Sequence, residues 1–128
     1  MATKGARGEA FLEANGESYR ILFTNRAIAE AEQRTGKAFL HLLRSATTGD
    51  LGMNDVVNLL VTGLEAARRE TGVGKSYQIT QAFNLMDAVG FTQAAAAVVA
   101  ALSDVLTFNS QAPDQVGGEG NESDSPPA

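Results

Sequence analysis

The sequence predicts an α+β domain that is mainly helical: an N-terminal β-hairpin, about five helices, and a disordered acidic C-terminal tail. Three observations carry this. Asn15-Gly16 sits between two short apolar runs; the apolar period lengthens from two to about three and a half after Phe23; and residues 109–128 are Gly, Ser, Pro and acids, with Val116 as their one large apolar side chain. A chain of 128 residues can bury one hydrophobic core and is too short to expect two. The expected division is therefore a loose 1–8, a single domain over 9–108 and a tail over 109–128, which has too little apolar surface to offset its ordering entropy.

The hairpin comes from "EAFLEANGESYRILF". Both central residues of a type I′ turn need positive φ, which Asn and Gly tolerate best. In the second strand Tyr19, Ile21 and Phe23 share one face, and Arg20 and Leu22 the other. An apolar Leu22 on the second face implies that the hairpin is covered on both sides or meets a partner there. Thr24 or Asn25 then caps a first helix carrying Ile28, Ala31 and Glu32, which Gly36 stops. A short second helix, Ala38 to Ser45, groups Phe39, Leu42 and Leu43. Asn54 or Asp55 is the expected cap of the third, Asp55 to Glu70, with Val56, Leu60, Leu64 and Ala67 in one stripe and Val57 and Val61 widening it. Gly72 and Gly74 end it. Tyr77 to Val89 is the fourth helix, closed by Gly90, and Thr92 caps a fifth that runs to about Leu106.

Composition excludes several functions. With no cysteine there is neither a disulfide framework nor a thiolate metal site. The longest mainly apolar stretch, Ala94 to Leu102, is far short of the roughly 20 residues that span a bilayer, so no membrane role is expected. Nothing at Met1 to Gly8 reads as a secretory signal, which leaves the cytoplasm of a host cell as the expected location. The net charge is −5, and four of the negative charges, Asp114, Glu119, Glu122 and Asp124, lie in the tail without a cation. The rest of the chain is near −1 and has no field to gather nucleic-acid phosphates.

Candidate chemistry is sparse, and no enzyme, cofactor or metal is expected. His41, the only histidine, sits in "FLHLLR" without an evident second ligand or orienting group. Glu30 and Glu32 point in different directions on a helix, and Glu30 is better placed to pair with Arg34. Asp50 and Asp55 lack the spacing of a calcium loop and suit loop and cap roles. "TGVGKS" ends like a phosphate loop, but Arg69 stands where the first glycine of that pattern belongs, and the segment follows a helix instead of a strand. The helices flanking that turn have the coarse shape of a helix-turn-helix, yet "SYQITQAFNLMDAVG" offers Gln78, Gln81 and Asn84 and no cation. Arg68, Arg69 and Lys75 suit the C-terminal end of a helix dipole.

The order of motifs carries more than any single residue. "GEAFLEANGESYRILFT", then "AIAEAEQRTGK", then a short apolar helix and a loop into "DVVNLLVTGLEAARRETG" resembles the tail-assembly chaperones of gene transfer agents and long-tailed phages, over about Gly8 to Leu106. That resemblance implies a nonstructural, cytoplasmic protein that coats the tape-measure protein and helps recruit tail-tube subunits, with a frameshifted longer form in many relatives. Partner contacts are assigned to Leu22, Phe39, Leu43, Phe91 and Phe108, and self-association stays open. A structural virion component, such as a tail or connector subunit, is the alternative function, and a small DNA-binding regulator the third.

Overall fold

A computed structural model describes the backbone of residues 8–111 and the side chains of residues 8–105. The elements run β1 Gly8–Ala14, β2 Glu17–Phe23, α1 Asn25–Thr35, α2 Phe39–Thr48, α3 Met53–Thr71, α4 Ile79–Val89 and α5 Phe91–Gln111. This is the expected hairpin and five helices. The expected loose N-terminus lies outside the described residues, apart from Gly8. So does the expected tail beyond Gln111, since α5 continues past Leu106 into its first residues.

The hairpin turns as its sequence requires, with Asn15 at φ 55° and Gly16 at φ 79°. Its strands pair antiparallel from Gly8↔Phe23 to Ala14↔Glu17. Cross-strand partners share a face, so Leu12, Ala14, Tyr19, Ile21 and Phe23 line one side and Glu9, Phe11, Arg20 and Leu22 the other. β1 lies along α5 and β2 along α3. Leu22 is also buried, which makes intramolecular cover on both faces the answer at that end of the sheet.

The third helix is the core of the domain. Val56, Val57, Leu59, Leu60, Val61 and Leu64 are all buried, so the apolar stripe read from the sequence wraps most of the helix. Gly63 permits the close approach of β2: a Cβ there would lie 2.4 Å from Ile21 Cγ2 and 3.4 Å from Leu22 N. Gly8 plays the same part for α5, where a Cβ would lie 2.1 Å from the Ala101 carbonyl oxygen.

Several local expectations change once the elements pack. The first helix is capped by Thr24, whose Oγ1 accepts from Ala27 N at 3.1 Å. The third begins earlier than expected, at Met53 after Gly52, because the Asp55 carboxylate is taken by Lys37 Nζ at 2.7 Å instead of capping the chain. Glu30 pairs with Arg26 at 3.1 Å and Arg69 at 3.2 Å, not with Arg34, since packing of α1 on α3 brings Arg69 within reach. The fourth helix starts at Ile79, and Tyr77 precedes it because the Tyr77 N–H is used elsewhere. Helix α5 begins directly at Phe91, which places Thr92 within its first turn and not at its cap.

Candidate functional site

A cleft of about 460 Å³ opens where the hairpin diverges from α3. One wall is Glu17 to Arg20 of β2, and the other is the end of α3 with the loop Val73 to Lys75 and Tyr77. A second hollow of about 230 Å³ adjoins it and shares Tyr19, Tyr77 and Gln81. The two form one groove past the tip of the hairpin, with two tyrosines at its middle.

Glu65 builds the loop wall. Its carboxylate accepts from Arg68 Nη2 at 2.5 Å, Arg68 Nε at 3.0 Å, the Ser76 hydroxyl at 3.0 Å and the Tyr77 N–H at 2.8 Å. These donors hold it at a pKa of about 2, below the usual carboxylate range, the Arg68 hydrogen bonds being the largest cause. Gly72, left-handed at φ 71°, ends α3 so that the chain can fold back to offer those donors. On the opposite wall Arg20 binds Glu9 on β1 and reaches Glu70 of α3 at 2.8 Å, spanning from hairpin to helix. The Tyr19 hydroxyl donates to Glu17 at 3.2 Å, and its pKa is raised by partial burial and then by the Glu17 charge.

The described residues hold no group of three or more His, Cys, Asp or Glu able to bind a metal, and His41 is exposed on α2. "TGVGKS" is a helix stop and turn: Ser76 is bound to Glu65, and Lys75 lines the cleft. Helix α4 exposes Ile79 and Phe83 beside the amides Gln81 and Asn84 and carries no cation, which a DNA-reading helix would present. No single described helix is long and apolar enough to cross a membrane.

The residues expected to meet a partner fall into different places. Leu22 and Phe39, 1% and 9% exposed, belong to the core, which corrects their assignment to a contact surface: α3 packs against the β2 edge at Leu22, and Phe39 is on the inward side of α2. Leu43 is half-buried against the same core. Phe91 is exposed at the start of α5, and the Phe108 side chain lies outside the described residues. The other large apolar residues that are exposed, Phe11, Leu40, Met53, Val73, Ile79 and Phe83, are not among those assigned to partner contact from the sequence. The apolar residues of the fourth helix, Ile79, Phe83 and Met86, are legible in the sequence, and Glu65 and Arg68 at i, i+3 could have flagged their pair. Nothing local pairs Glu65 with Ser76 and Tyr77.

Residues 7–104 match the model of a family described as phage tail tube protein, GTA-gp10. That span takes in the hairpin and the helices up to most of α5. No curated protein and no solved structure gives a significant match.

Proposed function

The chain belongs to the family of phage tail tube proteins of the GTA-gp10 kind, and from that premise we propose that it is a structural component of a phage or gene-transfer-agent tail that works by contact with tail-tube subunits. The observation that carries the reading is the extent of the family match, which covers both walls of the groove as well as the core. The chemistry of the surface agrees. Its clefts are open, lined by tyrosines, short polar side chains and paired ions, and suited to holding a protein segment.

A second reading rests on a different observation. Ile79 and Phe83 expose one face of α4, and Phe91 is exposed at the start of α5. Such a face suits a nonstructural tail-assembly chaperone that shields a long apolar partner, the tape-measure protein, in the host cytoplasm. Both readings are non-enzymatic.

Purified particles separate them. On the structural reading the chain is found in finished tails by mass spectrometry, at a fixed ratio to the tail-tube subunit. Absence from particles, together with co-elution with a tape-measure protein that is insoluble alone, would replace it with the chaperone reading.

A further inference from the structure

The turn of the hairpin joins an asparagine to a glycine, and both lie open. Asn15 and Gly16 are exposed, with φ of 55° and 79°, the backbone of a type I′ turn. A two-residue turn makes its flanking residues a hydrogen-bonded pair, here Ala14 and Glu17, so Leu12 and Tyr19 are a bonded pair as well. The ladder therefore uses no group of the turn itself. Among the described residues neither the Asn15 carboxamide nor the Gly16 N–H has a hydrogen-bond partner. Nothing lies within 4 Å of the place a Cβ on Gly16 would take, so no neighbouring segment covers that peptide. Asn15 is also the only asparagine of the chain that a glycine follows, and Asn25, Asn54, Asn58 and Asn84 all lie in helices.

We infer that Asn15 is a site of spontaneous covalent modification, at which the turn loses ammonia and becomes aspartate or isoaspartate. The Gly16 nitrogen gives up its proton to solvent and its electron pair forms a bond to the Asn15 side-chain carbonyl carbon. The bond from that carbon to the amide nitrogen breaks, and ammonia leaves with a proton, closing a five-membered imide. Water then opens the ring. Attack at the side-chain carbonyl restores the main chain and gives aspartate; attack at the main-chain carbonyl leaves the chain running through the former side chain and gives isoaspartate. Water is the only co-reactant. Glycine matters because a side chain on the following residue would crowd the attacking nitrogen, as at the other described asparagines. In the closed type I′ turn that nitrogen lies nearly opposite the Asn15 side chain, so the reaction proceeds when the tip opens. Opening has to break only the Ala14–Glu17 pair, and local openings at such ends cost far less than global unfolding.

The two products act differently on the hairpin. Aspartate suits the same turn, because Asp-Gly is favoured there as Asn-Gly is. Isoaspartate lengthens the main chain by one carbon, which takes the Ala14–Glu17 pair out of its register. Either product puts a charge where Asn15 lines the smaller hollow with Tyr19, Tyr77, Gln81, Asn84 and Leu85, none of which is a cation. The new carboxylate also joins Glu13 and Glu17 on the two strand ends. Modification at Asn15 thus alters one end of the groove, whether or not the chain is a tail component.

The test incubates the full folded chain at physiological temperature and mildly alkaline pH. Peptide mass spectrometry follows the mass, with electron-transfer fragmentation to tell isoaspartate from aspartate. The expected result is a gain of about 1 Da on the peptide that holds Asn15, with isoaspartate the major product, before any change at Asn25, Asn54, Asn58 or Asn84. Asn15→Gly, whose Gly-Gly pair suits the same turn, should show no gain in that peptide. The isoaspartate form, separated by ion exchange, should exchange its Ala14 and Glu17 amides faster than Asn15→Asp does. If Asn15 stays intact in the folded chain while the denatured chain converts, the closed turn protects it and the inference is overturned. Aspartate without isoaspartate would overturn the imide route, and equal exchange in the isoaspartate form and Asn15→Asp would overturn the loss of register.

Discussion

The two halves of β2 belong to one strand of seven residues and live in different environments. Ile21, Leu22 and Phe23 are 0%, 1% and 0% exposed, closed in on both faces and sealed at the edge by α3. Glu17 to Arg20 are exposed or half-buried and line the groove. The backbone conformation is the same along the strand; the side chains and the divergence of α3 make the difference. The lower half carries apolar residues on both faces and fastens the hairpin to the helices. The upper half carries a polar alternation and keeps its edge free.

Breaking the fastened half gives the largest expected effect. Phe23→Ala removes a fully buried aromatic ring, and a loss of about 3–5 kcal/mol is expected by denaturant unfolding. Tyr19→Ala, in the open half, should cost well under half of that. Equal losses would mean that the tip is as tightly packed as the base. The close approach itself is tested by Gly63→Ala. Alanine gains about 1 kcal/mol of helix propensity, but its Cβ would sit 2.4 Å from Ile21 Cγ2, so β2 or α3 must shift. Overpacking costs about 1–3 kcal/mol, so a net loss of stability is expected; a gain would show that the hairpin can lift away freely.

The loop wall is tested by acid. Glu65 has a pKa of about 2 in the folded chain against an ordinary 4.5, so the unfolded chain takes up its proton first as the pH falls. Its contribution is fully present above about pH 4.5 and is lost on going down through about pH 2. The side chain is 12% exposed, and allowing for solvent screening the amount at stake is about 1–2 kcal/mol. Glu65→Gln should therefore lower stability at neutral pH and flatten its fall between pH 4.5 and pH 2. An unchanged acid profile would mean that other carboxylates dominate it. In the variant, proteolysis in the segment Val73 to Ser76 should quicken, because Ser76 and the Tyr77 N–H lose a charged acceptor.

How far the sequence could be read follows the range of the interactions. The Asn15-Gly16 turn, the Thr24 cap, the Gly36 stop and the buried stripe of α3 each depend on residues within one turn or one strand, and all were legible. The groove was not, because its walls are joined by contacts across the chain: Glu65 with Ser76 and Tyr77, and Arg20 with both Glu9 and Glu70. The assignment of Glu30 to Arg34 failed for the same reason, since Arg69 lies 39 residues away. Leu22 was read correctly as apolar on the second face of the hairpin. Choosing it as a contact residue required knowing where α3 lies, which no local pattern tells.

The smallest expected effect on stability is the one that sharpens the comparison most. Ser18→Pro and Tyr19→Pro place the same residue one position apart in the same strand. Tyr19 faces Leu12 in a hydrogen-bonded pair, so proline there deletes a ladder bond, and a loss of about 3 kcal/mol or more is expected. Ser18 faces Glu13 in a pair whose N–H groups point outward, so proline there deletes no bond within the chain. The hydrogen bond from the Ser18 hydroxyl to Glu13, at 2.9 Å and exposed, is lost as well and is a minor contribution. Glu17, which precedes the new proline, is already in a strand, the conformation that proline imposes on its predecessor. A change of less than about 1 kcal/mol is therefore expected for Ser18→Pro in thermal or denaturant unfolding. A loss as large as that of Tyr19→Pro would mean that the Ser18 edge is already paired within the chain, and the open half of β2 would be open no longer.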